Sequence, residues 1–95
     1  MQFEWDSGKA DLNATKHGVG FELAALVFLD DDRLTAIDSR FDYGEERLIT
    51  IGHIEGRLHV VVYTLIKDTI RIISARKANK REQARYADSK DENRS

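Results

Sequence analysis

The sequence predicts an α+β fold: two N-terminal helices packed on a four-stranded antiparallel sheet, followed by a C-terminal helix. Three observations carry this prediction. Apolar residues recur at helical spacing before residue 30, β-branched runs separated by short turn-forming stretches fill residues 33–75, and a helix-capping pattern follows the last run. With 95 residues, of which 41 % are apolar and 34 % charged, the chain is expected to form one domain around one core. That domain spans residues 1–87, and residues 88–95 read as a polar tail that frays.

Each element follows from its residues. "QFEW" reads as a short strand, and Asp6 can cap a helix over roughly residues 7–16 that "KHG" ends with a cation, a histidine and a glycine. His17 is read as a helix-end residue. "GFELAALVFL" places Phe21, Leu23, Ala24, Val27 and Phe28 at helical spacing, and "DDD" closes it. "RLTAIDSR", "ERLITIGHI", "RLHVVVYTLI" and "TIRIISA" are strands joined by "FDYGE", "EG" and "KD" as hairpin connections. "NKRE" then has the form of a capping box, with Asn79 at the cap and Glu82 three residues later.

Turn positions set the register, and register sorts the side chains. Two-residue turns at "EG" and "KD" set Gly52 opposite His59, Val60 opposite Ala75, His59 opposite Arg76 and Tyr63 opposite Ile72. One face then carries Ile49, Ile51, Leu58, Val60, Val62, Ile73 and Ala75, an apolar floor for the two helices. The other carries Thr50, Gly52, Arg57, His59, Tyr63, Ser74 and Arg76, too polar for core, with a depression at Gly52 where a ligand can approach. Lys77, Lys80 and Arg81 follow just beyond the strand end. Such a set of guanidinium groups suits a phosphodiester, because the planar fork grips phosphate oxygens in pairs. Arg47 and Arg71 fall at one end of the apolar face, flanking Thr64, with Asp38 or Asp6 as structural partners.

Charge is unevenly spread. Residues 1–32 carry two Lys/Arg against seven Asp/Glu, and residues 33–86 carry eleven against seven, beneath a total of −2. A basic stripe of this kind attracts phosphate locally, over a Debye length of about 10 Å. Other chemistries find no support in the sequence. There is no cysteine, and histidines 17, 53 and 59 lack metal-ligand spacing. "DDD" has no EF-hand pattern, and there is no glycine-rich phosphate loop or nucleophile elbow. The expectation is therefore no cofactor and no metal. The longest apolar run, "VVVYTLI", is far too short to span a bilayer and "MQFEWD" does not read as a signal peptide, so no membrane partner and a cytoplasmic location are expected. Cofactor-free catalysis points to phosphodiester cleavage by the RNA's own 2′-hydroxyl, which needs an oriented substrate, a proton acceptor and nearby cations.

"FEWDSGKADLNATKHGVGFELAALVF", "DYGEERLITIG", "GRLHVVVYT" and "IRIISARKANKREQARY" resemble, in that order, the successive motifs of the BrnT toxins. The resemblance covers residues 3–86 and implies a compact RelE-like fold. It further implies a ribonuclease toxin of a type II toxin–antitoxin pair that halts translation. Its partner would be a BrnA-type antitoxin, a ribbon-helix-helix protein, with operator DNA met only through the antitoxin complex. The family's basic surface carries over onto Arg47, Arg57, Arg71 and Arg76 as catalytic residues, with Tyr63 as their companion. His59 is added as proton acceptor on chemical grounds, since an imidazole accepts a proton where an arginine cannot. Lys77, Lys80 and Arg81 are the expected RNA-binding cations. The competing expectation is a non-enzymatic module that docks a protein partner or DNA through the same stripe.

Overall fold

A computed structural model describes residues 1–38 and 46–94, with side chains through residue 91. The "FDYGE" connection lies outside the described residues. Asp6 caps helix α1 (Ser7–His17) by accepting the Lys9 N–H at 3.0 Å. Gly18 ends it with φ +70°, the left-handed conformation that a residue with a Cβ adopts only at a cost. The second helical stretch is a single α turn, α2 (Phe21–Ala24), that tightens into a 3₁₀ segment (Ala25–Leu29) ended by Asp30. Helix α3 (Lys80–Arg94) opens on the expected capping box. The Asn79 side chain accepts the Glu82 N–H at 2.9 Å, and Glu82 accepts the Asn79 N–H at 2.9 Å. The helix continues through the stretch that the sequence reads as a fraying tail.

The sheet has five strands and is mixed, a correction to the four-stranded antiparallel expectation. Strands β1 (Gln2–Glu4), β2 (Leu34–Asp38), β3 (Arg47–Ile54), β4 (Arg57–Ile66) and β5 (Thr69–Lys77) lie in the order β1-β5-β4-β3-β2. The four later strands are antiparallel in sequence order, as expected, and β1 adds to the outer edge of β5 in parallel. Beyond β1 that edge would leave the backbone of Ala75 without a strand partner. Asn13 of α1 takes the place of one: its side chain accepts the Ala75 N–H at 3.1 Å and donates to the Ala75 carbonyl at 2.8 Å. A further bond to the Val19 carbonyl at 2.9 Å ties the chain after α1 to the same amide.

The β3–β4 register is the expected one, with Glu55 and Gly56 at positive φ in the turn. The β4–β5 register is the expected one only from the turn to Tyr63, which faces Ile72. A bulge follows, so Val62 faces Ser74, Val60 faces Arg76 and His59 faces Lys77. The residue left over is Ile73. The bulge therefore moves Arg76 off the row of His59 and onto the row of Val60.

On β3 and β4 the two faces are exchanged relative to the sequence expectation, whereas the bulge keeps Ala75 beneath the N-terminal helices and Arg76 on the opposite face, as expected, and there are two apolar clusters rather than one. Val61, Tyr63, Ile70, Ile72 and Ala75 form the larger core beneath Val19, Phe21, Ala24 and Val27. Thr50, Gly52 and His59 are buried on this same face. Their polar atoms are satisfied internally, which is why a polar set can be core. The Tyr63 hydroxyl and the Thr50 hydroxyl are 2.7 Å apart, and the Thr50 and Thr35 hydroxyls 2.9 Å apart. The Gly52 depression is filled by Val27: a Cβ on Gly52 would lie 2.9 Å from Val27 Cγ2 and 3.2 Å from its carbonyl. On the other face Ile51, Leu58 and Val60 form a second cluster with Ala78 and Tyr86, under α3.

Candidate active site

Cationic side chains gather where β5 runs into α3. The Ala78 N–H donates to the Leu58 carbonyl at 2.9 Å, carrying the pairing one residue past the strand. Arg57, the residue before Leu58, is thereby brought beside the cap of α3. Arg57, Lys77, Lys80 and Arg81 are all exposed. Arg76 is held instead of loose. Its Nη1 donates to Glu82 Oε1 at 2.8 Å and its Nη2 to Oε2 at 2.7 Å, while 36 % of its side chain stays open to solvent. The Arg76 hydrogen bonds, followed by those of the cap, hold the Glu82 carboxyl below its usual 4.5. The residue that builds the cap thus also fixes the arginine.

Arg47 and Arg71 form a separate group at the opposite end of the sheet. Asp38 faces Arg47, and Arg71 sits between Thr64 and Glu4 in the pairing, its Nη1 3.6 Å from Glu4 Oε1. Arg71 facing Thr64 and Asp38 facing Arg47 are as the sequence implies, and Glu4 joins Asp6, which also feels the Arg71 charge. Arg76 lies five positions after Arg71 along β5, about 16 Å of extended chain. The expected arginines therefore fall into two groups at opposite ends of the sheet.

His59 and Tyr63 do not join either group. They are only 3 % and 4 % exposed, on the face beneath the N-terminal helices. His59 Nδ1 lies 2.8 Å from the Arg57 carbonyl, and Phe28 meets the Tyr63 ring edge-on with centroids 5.0 Å apart. Their expected place on an exposed polar face is corrected by the same exchange of faces. In the sequence polar residue type reads as exposure, whereas buried hydroxyl and imidazole groups with partners are core.

Sequence reasoning missed Asp30, His53 and Tyr86, which meet where the 3₁₀ segment, β3 and α3 converge. Asp30 Oδ2 accepts the His53 backbone N–H and the Tyr86 hydroxyl, each at 2.7 Å, and Oδ1 accepts the Asp32 N–H at 2.9 Å. Burial would raise the Asp30 carboxyl, but these hydrogen bonds outweigh it and hold the group below its usual 3.8. Burial, then the bond to Asp30, drives the Tyr86 hydroxyl upward, so it remains a donor. The only signals in the sequence were "DDD" at a helix end and a lone tyrosine in a polar helix. Between α3 and the β3–β4 hairpin lies a groove of about 380 Å³ lined by His53, Arg57, Leu58, Gln83, Tyr86 and Lys90. Among the described residues no three His, Cys, Asp or Glu side chains are grouped to hold a metal ion, and no helix is long and apolar enough to cross a membrane.

Comparison with known families places this geometry in context. No curated protein matches the chain. A family model described as "Ribonuclease toxin, BrnT, of type II toxin-antitoxin system" matches residues 5–82, from the end of β1 to the capping box of α3. With more than three-quarters of its length matched by that model, the chain belongs to the BrnT family of ribonuclease toxins of type II toxin–antitoxin systems.

Proposed function

We propose that the chain is an endoribonuclease that cleaves RNA without a metal, by attack of the RNA's own 2′-hydroxyl, and that this halts translation. The observation that carries the reading is the Arg76 guanidinium, fixed by Glu82 yet open to solvent, among exposed Arg57, Lys77, Lys80 and Arg81. A preorganised cation stabilises charge that gathers on phosphorus in the transition state without having to be ordered at that moment. In this reading Arg57 and Arg76 are the catalytic arginines at the scissile phosphate, and Lys77, Lys80 and Arg81 follow the backbone on either side. Arg47 and Arg71 are proposed to meet the RNA farther along the same sheet. His59 and Tyr63 fall outside the proposal because their side chains are closed to solvent.

The neutralising partner is proposed to be a BrnA-type antitoxin of ribbon-helix-helix fold, acting in the cytoplasm and reaching operator DNA with the toxin in complex. Support comes from the family and from the cationic surface, which an acidic segment of a partner can cover. Cleavage of an RNA oligonucleotide by the purified chain in EDTA, with analysis of the new ends, tests the chemistry. Retained activity and a 2′,3′-cyclic phosphate are expected. Activity that disappears on chelation and returns with a divalent ion would contradict the mechanism.

A further inference from the structure

Attack by a 2′-hydroxyl requires a proton acceptor within reach of the sugar, and neither arginine nor a charged lysine can serve. With His59 buried, the residues expected from the sequence leave that role unfilled. His53 answers the need on three counts. Its side chain is 45 % exposed, it lines the groove with Arg57, Gln83, Tyr86 and Lys90, and it pairs across the hairpin with Leu58, the neighbour of Arg57. Its ring is also oriented. Nδ1 lies 3.6 Å from Asp30 Oδ2, and the ring meets Tyr86 edge-to-face with centroids 4.9 Å apart.

Turning Nδ1 toward a carboxylate leaves Nε2, on the far edge of the imidazole, as the nitrogen for a ligand. The same carboxylate stabilises the imidazolium formed once Nε2 has taken a proton. Tyr86 keeps Asp30 in place through its hydroxyl, so α3 braces the pair from behind. Other charges border the site. Lys90 of α3 lies 3.6 Å from Asp32 and 5.8 Å above the Tyr86 ring, and Asp30, Asp31 and Glu55 line the surface on the outer side of His53. Those carboxylates repel a phosphate from the outer side, and Arg57 with Lys90 draws it into the groove.

We infer that His53 is a catalytic residue, taking the 2′-hydroxyl proton at Nε2 from an RNA whose scissile phosphate lies in this groove beside Arg57. The inference rests on the ribonuclease reading above. As Nε2 accepts the proton, the 2′-oxygen forms a bond to phosphorus. The bond from phosphorus to the 5′-oxygen breaks, and that oxygen leaves with the electron pair and takes a proton from water. The imidazolium then returns its proton to solvent, so the net change is a transesterification that leaves a 2′,3′-cyclic phosphate.

The test compares wild type, His53→Ala and His17→Ala in cleavage of one RNA oligonucleotide, with and without added imidazole. Wild type and His17→Ala are expected to cut alike. His53→Ala is expected to lose cleavage by at least about 100-fold, the scale of a positioned acid–base group, and to regain part of it in imidazole. Thermal melts close to wild type, as its exposure implies, keep folding out of the comparison. Cleavage by His53→Ala at the wild-type rate, or a loss that imidazole does not relieve, overturns the inference and leaves the ribonuclease reading standing. A wild-type chain that cuts no RNA overturns both.

Discussion

Arg57 and Arg76 separate two consequences of removing one cation. Arg57 is exposed, so Arg57→Ala should change stability by under about 0.5 kcal/mol. Arg76→Ala also deprives Glu82 of a two-pronged partner and should cost on the order of 1 kcal/mol, the upper range for a part-exposed pair. Each should slow RNA cleavage by roughly 100-fold, as loss of a charge-stabilising donor does. Melts and initial rates on the two variants check both statements. A docking stripe would instead lose affinity gradually with each charge removed. The carboxylates make an acid prediction. Asp30 and Glu82 are held below their usual values, so they bind fewer protons folded than unfolded. Their contribution is complete above the unfolded values and is lost as pH falls through the lowered folded ones. The wild-type melting temperature should therefore drop as pH falls below about 4.5, and Glu82→Gln should flatten that drop. Asn13→Ala should cost about 2–3 kcal/mol in a denaturant titration, because it strands the Ala75 N–H and carbonyl.

Packing between the 3₁₀ segment and β3 shows which sheet face is core. Gly52→Ala should destabilise the fold by about 1–3 kcal/mol, since the new methyl must displace Val27 and its backbone. Ile72→Ala, on the face beneath the N-terminal helices, should cost about 2–5 kcal/mol. Val62→Ala, half-buried on the other face, should cost clearly less. Comparable losses for Val62 and Ile72 would mean that the two faces are not distinguished in this way. Much of this architecture was legible in the sequence. The Asp6 cap, the Gly18 stop, the four antiparallel strands, the β3–β4 register and the Asn79–Glu82 box all follow from local residue chemistry. The faces were not legible, because alternation gives two sets of side chains without saying which the helices cover. Thr50, His59 and Tyr63 look like surface until their internal partners are known. The bulge at Ile73 carries no glycine to announce it, yet it moves Arg76 from the row of His59 to that of Val60. The part of the candidate site nearest in sequence, Arg76 to Glu82, is legible from the capping pattern alone. Asp30, His53 and Tyr86, spread over 56 residues, were invisible until the fold joined them.

Across the whole molecule, the sheet separates two jobs. The N-terminal helices close one face as core, the other face carries Arg47, Arg71 and Arg76, and Arg57 borders the groove under α3 from the end of β4. A neutralising antitoxin should cover part of that surface. Hydrogen exchange of the complex should show increased protection around residues 71–86, and protection confined to α1 would point to inhibition from a distance. Expression of the chain without its antitoxin should arrest growth, and Arg57→Ala should relieve the arrest at equal soluble abundance. The central claim is that this cationic surface lets RNA cut itself through its own 2′-hydroxyl. The most direct measurement is the cleavage rate at one mapped site in an RNA oligonucleotide, set against the same oligonucleotide with hydrogen replacing the 2′-hydroxyl at that nucleotide alone. The account predicts that cleavage there disappears while binding is retained. Cleavage of the substituted oligonucleotide at the unmodified rate would contradict it.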